Sequence, residues 1–231
     1  MTNYTYLLVD FFTIVVPFVF SFHPKLQFYK TWKAFFPAVM LTGLLFLLWD
    51  IYFTHLGVWG FNLNYIIGWK LWGLPLEELL FFLCIPYSCV FTYHCLTLLM
   101  NLKLPKAVED IITYSLILLG LIGAIYYWGH YYTVSTGLLM TLLLLLARNI
   151  LQVDWLGKFY LVYLVLLFPF CIVNGILTGT GLNEPVVWYS AEHIIGLRIG
   201  TIPFEDVFYG LDLILLNLLI YHSLKLRLIK N

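Results

Sequence analysis

The chain has 231 residues, of which 62% are hydrophobic and only 10% are charged, and its mean hydropathy is +0.93. This composition excludes a water-soluble globular protein and predicts an integral membrane protein. The formal net charge is zero, and zinc-finger, phosphate-binding and dinucleotide-binding motifs do not occur in the sequence. No nucleic-acid partner is therefore predicted. The four cysteines lie in apolar runs without metal-ligand spacing, which predicts packing thiols and no metal site.

Seven segments of the chain are long and apolar enough to cross a bilayer, which takes about 20 mostly apolar residues in a helix. The sequence therefore predicts an all-α, multi-pass protein whose immediate surroundings are the lipids of the cell membrane. In chain order the segments are 4–22, 34–53, 74–100, 108–128, 132–150, 158–178 and 203–223.

One motif of a proline followed by two acids occurs twice, 128 residues apart. Residues 75–78 read Pro-Leu-Glu-Glu, and residues 203–206 read Pro-Phe-Glu-Asp. Between 66–96 and the segment that begins 128 residues later, nine of thirty-one positions are identical, including a Tyr-His pair. Shared leucines could come from composition alone, but a matched proline, glutamate and Tyr-His pair indicate an internal duplication.

The duplication pairs helices one to three with helices five to seven and leaves helix four as a linker. Because a single linker helix lets helix five cross the membrane in the same direction as helix one, we expect two parallel three-helix repeats in a 3+1+3 arrangement. The expected units are a first repeat at 1–107, a linker helix at 108–130 and a second repeat at 131–231.

The positions of the basic residues predict the orientation in the membrane. Ten of the twelve lysines and arginines fall after helices one, three and five or at the C-terminal end, while Lys70 and Arg198 fall on the other face. Because cytoplasmic loops carry the excess of positive charge, we expect the N-terminus outside and the C-terminus in the cytoplasm. The long outer loops, 54–73 and 179–202, are expected to lie along the interface as short helices or re-entrant segments.

Both motifs fall at the start of a helix, where a proline fits the first turn and acids favour the positive end of the helix dipole. Capping explains one acid in each helix but not Glu77 with Glu78 and Glu205 with Asp206 near the membrane boundary. Adjacent residues diverge by about 100° around a helix, so one acid of each pair can face the bundle. Further polar side chains at a similar depth are Asp10, Asp50 and Asn174.

Aromatic side chains surround both motifs, and a membrane-interface belt of Trp and Tyr accounts for part of them. The others suit a dry cavity in which a carboxylic acid protonates an alkene and aromatic faces stabilise the resulting cation. The candidate substrate-binding residues are Trp69, Trp72, Phe81, Phe82, Phe204, Phe208 and Tyr209.

The doubled motif and the three-helix repeat resemble the membrane-embedded lycopene cyclases of bacteria, archaea and fungi. In some bacteria of that family each three-helix unit is a separate polypeptide and the active enzyme is a heterodimer. This chain resembles the fused form, and also the cyclase domain of the fungal bifunctional lycopene cyclase/phytoene synthase. The resemblance covers essentially the whole chain.

The resemblance implies that the chain binds lycopene or related long polyene carotenoids. It would convert linear lycopene to γ-carotene and then β-carotene by proton-initiated cyclisation without net redox change. No cofactor is expected, since the sequence lacks the Gly-x-Gly-x-x-Gly motif. Other enzymes of carotenoid biosynthesis are expected as possible physical partners.

By the same resemblance, Glu77 and Glu205 are predicted to be the acid/base carboxylates, with Glu78 and Asp206 as partners or proton donors. Which group protonates the terminal double bond, and whether the chain has one active site or two, stays open at this point. A carotenoid hydratase of related fold is an alternative, because it would generate the same kind of cation.

A 3+1+3 small-solute transporter is a second alternative. Such transporters usually carry a Pro-Gln pair, which the sequence lacks. A retinal-binding protein would need a buried lysine for its Schiff base, and residues 203–221 contain none.

Overall fold

The computed structural model describes residues 2–230 of the chain. In that range it contains seven α-helices, with a π-helical turn at Leu146–Ile150 that continues the fifth. The helices are α1 (Thr5–Phe20), α2 (Trp32–Leu56), α3 (Leu76–Leu99), α4 (Lys106–Tyr126), α5 (Tyr131–Leu145), α6 (Leu156–Leu177) and α7 (Phe204–Lys230). The prediction of an all-helical fold is confirmed.

Among the described residues, six helices are long and apolar enough to cross a membrane, where α5 and its π-helical turn count as one span at Tyr131–Ile150. The exception is α1, which is apolar but has 16 residues, about 24 Å at a rise of 1.5 Å per residue. Helices such as α4 expose large apolar side chains on their outer faces, as Ile111 at 66% and Ile125 at 77% show. These features agree with a membrane protein, whereas the predicted count of seven spans stays a prediction.

The main apolar core joins helices from both halves of the chain. It contains the fully buried side chains of Phe35 on α2, Tyr87 on α3, Leu144 on α5, Phe159 on α6 and Leu215 on α7. Helix α1 packs on α3, α2 packs on both α3 and α7, and α4 and α5 pack on each other. The two halves therefore form one bundle with a shared interior.

The two long loops pair with each other instead of lying separately along the interface. Strand β1 (Trp59–Phe61) pairs antiparallel with β4 (Val187–Tyr189), with Gly60 opposite Trp188. A Cβ atom on Gly60 would lie 2.4 Å from the Trp188 ring, so only glycine permits this approach. The expectation of short interfacial helices is met only by a 3-10 turn at Leu63–Tyr65. The loops instead form backbone hydrogen bonds with each other across the pair of strands β1 and β4, called the ribbon below.

A second kind of strand pair lies just before α3 and α7. Strands β2 (Lys70–Leu71) and β3 (Leu74–Pro75) form one tight hairpin, and β5 (Arg198–Ile199) and β6 (Ile202–Pro203) form the other. Each hairpin ends at the proline of a motif, so it fixes where the following helix begins.

Candidate active site

The turns of the two hairpins use left-handed backbone at matching positions. Trp72 has φ 54° and Gly73 has φ 90° in the first hairpin, and Gly200 has φ 64° in the second. Glycine adopts this conformation without steric cost, whereas a tryptophan does not. Each turn reverses the chain and places both acids of its motif in the first turn of a helix.

The first acid of each motif is buried and binds the loop in front of it. Glu77 is fully buried, and its Oε1 accepts a hydrogen bond from the Ile67 N–H at 2.7 Å. Glu205 accepts the equivalent bond from the Ile195 N–H at 2.7 Å, and a second from the Thr133 hydroxyl at 2.6 Å. Both pairs are ten residues apart in sequence, so the same contact occurs in both halves.

The second acid of each motif faces the interior of the bundle and accepts hydrogen bonds from tyrosines. Glu78 Oε2 accepts from the Tyr6 hydroxyl of α1 at 2.5 Å. Asp206 accepts on both oxygens, from the Tyr132 hydroxyl of α5 at 2.7 Å and from the Tyr189 hydroxyl of β4 at 3.1 Å. Burial and then the Asp206 carboxylate raise the pKa of Tyr189 well above its ordinary value, so its hydroxyl remains a donor.

A third carboxyl group, Asp50 on α2, completes the polar end of the site. It is 2% exposed and accepts hydrogen bonds from the Trp59 indole N–H of β1 and from the Thr54 hydroxyl at 3.4 Å. Asp50 and Glu78 are close enough to act on each other electrostatically. The ribbon of β1 and β4 thus supplies a donor to each side of the site, Trp59 to Asp50 and Tyr189 to Asp206.

The three carboxyl groups Asp50, Glu78 and Asp206 line one cavity of about 650 Å³. Such a volume is within the usual range for small-molecule sites. Along α3 the lining extends from Glu78 to Thr92, about 21 Å at the helical rise. Most of the remaining wall is apolar or aromatic and includes Phe81, Ile85, Leu166, Phe170, Tyr209, Leu213 and Ile214.

The cavity reaches the outer surface of the bundle between α1 and α6. Leu8 and Phe12 on α1 line it while 46% and 67% exposed, and Ile172 on α6 lines it while 53% exposed. Helix α1 packs mainly on α3 and barely touches α6. In a bilayer this opening would face lipid acyl chains, which suits an apolar ligand.

The structure divides the predicted site residues into two groups. Those that line the cavity are Glu78, Asp206, Asp50, Asn174, Phe81 and Tyr209. Those outside its lining are Glu77, Glu205, Asp10, Trp69, Trp72, Phe82, Phe204 and Phe208. Trp69 and Trp72 are 74% and 67% exposed on the surface.

Asp10 is 1% exposed, and both of its carboxyl oxygens lack a hydrogen-bond partner among the described residues. Glu77 acts on it electrostatically. Asp10 in turn acts electrostatically on Glu78, so it interacts with both acids of the motif although it lies outside the cavity lining.

Sequence reasoning missed the hydroxyl donors Tyr6, Tyr132 and Thr133. They belong to helices that precede their acids by more than 70 residues. Tyr6 and Tyr132 are 126 residues apart, close to the 128-residue offset of the motifs. If the predicted duplication is extended to the first helix of each half with a two-residue gap, Tyr6 and Tyr132 occupy equivalent positions.

A protein-family model described as lycopene cyclase matches the chain in two segments, residues 3–96 and 129–224. Each segment contains one copy of the motif, and together they cover most of the sequence. No curated protein and no solved structure matched the chain.

Proposed function

This chain belongs to the lycopene cyclase family, and we propose that it is a lycopene β-cyclase that converts lycopene through γ-carotene to β-carotene. The observation that carries the proposal is that Glu78 and Asp206, one from each motif, line the same apolar cavity. A proton-initiated cyclisation needs an acid, a base and the exclusion of water, and an apolar cavity lined by carboxyl groups from both motifs supports this proposal.

The proposed step is balanced in atoms and electrons. A carboxylic acid gives a proton to the terminal double bond of the polyene, and the resulting cation is attacked by a second double bond, which closes the ring. A carboxylate then removes a proton from the ring, and the electrons of that C–H bond form the new ring double bond. The product is an isomer of the substrate, so the reaction is that of an intramolecular lyase and requires no electron carrier.

The hydrogen bonds suggest which carboxyl group has which role. Asp206 accepts a tyrosine hydroxyl on each oxygen, so both of its oxygens already act as acceptors and neither is arranged to give a proton. Glu78 accepts a hydrogen bond from the Tyr6 hydroxyl, and Asp50 acts on it electrostatically. Two carboxyl groups that line one apolar cavity and act on each other electrostatically favour one shared proton. We therefore assign the acid to the Glu78–Asp50 pair and the base to Asp206.

The sequence analysis predicted Glu77 and Glu205, the first acid of each motif, as the acid/base carboxylates. The assignment proposed here gives that role to the second acid of each motif. Glu77 and Glu205 are buried outside the cavity and bind backbone N–H groups of the preceding loop. We propose that they position the loops, while the second acid of each motif reacts. Phe81, which lines the cavity on the same helix as Glu78, is the proposed aromatic face that stabilises the cation.

The shape of the cavity also suits a long polyene. We propose that lycopene slides in from the bilayer between α1 and α6, with one end group at the three carboxyl groups and the rest of the chain along α3. One set of acids would then close one ring at a time, and γ-carotene would have to turn around before the second ring is made.

We also propose the repeat architecture that the sequence predicts, in which residues 1–107 and 131–231 form the two repeats and residues 108–130 form the linker. The matching bonds of Glu77 and Glu205 support it, as does the register of the central ribbon, where Gly60 lies opposite its own counterpart Trp188. We propose that the N-terminus lies on the outer side of the cell membrane and the C-terminus in the cytoplasm. Neighbouring enzymes of carotenoid biosynthesis are proposed as possible partners.

The experiment that tests the function is pigment analysis of a lycopene-producing bacterial host with and without this gene. Products of unchanged mass that co-chromatograph with γ-carotene and β-carotene would support the proposal. Products heavier by one or two water molecules would instead identify a hydratase. Unchanged lycopene in cells whose membranes contain the protein would refute both and favour the transporter.

A further inference from the structure

The cyclisation proposed above leaves the two catalytic positions in the wrong protonation states for another round. After a ring has formed, Asp206 carries the proton taken from the ring, and the Glu78–Asp50 pair has lost one. The central ribbon lies over this end of the cavity, and its residues Trp59, Phe61, Val187 and Tyr189 line the wall. A route for the proton within the protein would therefore make each turnover independent of bulk water.

Tyr209 lines the cavity together with the carboxyl groups of both catalytic positions. It follows Asp206 by three residues on α7, which places both on one face of the helix, and both line the cavity. Its ring centroid is 5.9 Å from that of Tyr132 and 6.4 Å from that of Trp59. Tyr132 is a donor to Asp206 and Trp59 is the donor to Asp50, so Tyr209 contacts a partner of each side.

The electrostatic surroundings of the Tyr209 hydroxyl agree with this position. Asp50, Glu78 and Asp206 all act on it. The ring is held at centroid distances of 5.1 Å from both Phe46 and Trp49, which limits its movement.

The other half of the chain has no hydroxyl at the matching position. Phe81 precedes Tyr209 by the same 128 residues that separate the two motifs, and it lines the same cavity. A phenylalanine can therefore occupy a cavity-lining position of this kind. The hydroxyl group of Tyr209 is present only in the half of the chain that contains Asp206.

We propose that Tyr209 is a relay residue that returns the proton from Asp206 to the Glu78–Asp50 pair after each ring closure. Its O–H gives a proton to the pair, and its oxygen takes the proton held by Asp206. The result is an ionised Asp206 and a protonated Glu78–Asp50 pair. One proton has moved from Asp206 to the pair, the total charge of the site is unchanged, and no electron is transferred. Tyr209 acts through the carboxyl groups and between turnovers, so the ring-forming step itself does not need its hydroxyl.

The test compares Tyr209→Phe with the natural protein under two regimes, using full-length protein in membranes. With enzyme in excess over lycopene, each enzyme molecule that binds lycopene closes one ring, and its Glu78–Asp50 pair is already protonated at the start. We expect the variant to consume lycopene within about twofold of the natural rate. With lycopene in excess, we expect a burst of one ring per enzyme and then a steady rate about 100-fold lower, in keeping with the loss of one proton-transfer group.

The control is Tyr52→Phe, which removes the hydroxyl of a tyrosine that is 61% exposed on α2, and it should leave both regimes unchanged. Equal slowing of Tyr209→Phe in both regimes would overturn the relay, because it would place Tyr209 in ring formation or packing. An unchanged steady rate would overturn it as well. The inference rests on the proposed function, but the two fail differently: if the natural protein forms no rings, the function itself is wrong.

Discussion

Single substitutions at the four motif acids would separate the two proposed roles. Glu78→Gln and Asp206→Asn keep the size and a hydrogen-bond acceptor at the cavity but remove the proton that is given or taken. Loss of a general acid or base lowers the rate by about 10²–10⁴-fold, or about 3–5 kcal/mol of barrier. We expect ring formation per mole of folded protein to fall by that factor in both variants.

Glu77→Gln and Glu205→Gln should behave differently, because each amide oxygen can still accept the backbone N–H of Ile67 or Ile195 at the 2.7 Å contact. Because the substitution keeps this hydrogen bond, the free energy of unfolding should change by no more than about 1 kcal/mol, the size of one neutral hydrogen bond. We expect ring formation per folded molecule within a few-fold of the natural protein.

The assay is lycopene consumption by membranes, normalised to correctly folded protein, together with thermal unfolding in detergent. The reasoning would be refuted if Glu77→Gln or Glu205→Gln abolished ring formation in stable protein while Glu78→Gln or Asp206→Asn retained it. That result would restore the roles first inferred from the sequence.

Three other substitutions test separate parts of the structure. Trp72→Gly replaces a left-handed tryptophan by the residue found at Gly200, so it should keep cyclisation and raise the unfolding temperature slightly; a large loss of activity would place Trp72 at the substrate. Phe12→Trp enlarges a side chain at the opening to the lipid, and a higher KM with little change in kcat is expected, whereas an unchanged KM would argue against access there. Gly60→Ala would bring a Cβ atom to 2.4 Å from the Trp188 ring, so it should displace the ribbon and with it Trp59, lowering the activity and the unfolding temperature together; normal activity would show that the ribbon is not needed.

Several features of this protein follow from local sequence. The apolar composition predicts membrane helices without any knowledge of packing, and most of the predicted segments coincide with observed helices. The repeated proline and acids identify both polar helix starts, since a proline and nearby carboxylates favour the first turn of a helix wherever it packs. The family resemblance read from those motifs is confirmed by the match to both halves.

Which acid of each pair faces the cavity was decided by tertiary structure. The sequence shows that Glu77 and Glu78 diverge by about 100° around α3, but the rotation of the helix depends on its neighbours. Packing α3 against α1 brings Tyr6 to Glu78, while the loop captures Glu77. The same applies to Asp206, whose donor Tyr132 is 74 residues away.

The ribbon between the two long loops was also beyond local reasoning. Three-residue strands such as β1 carry too little pattern to predict a partner, and their pairing depends on two segments more than a hundred residues apart meeting at one end of the bundle. Local sequence thus determined the helices and the family, because these depend on composition and on the spacing of the motifs. Long-range packing determined which side chains share the cavity, because helix rotation and loop pairing are set by the whole bundle.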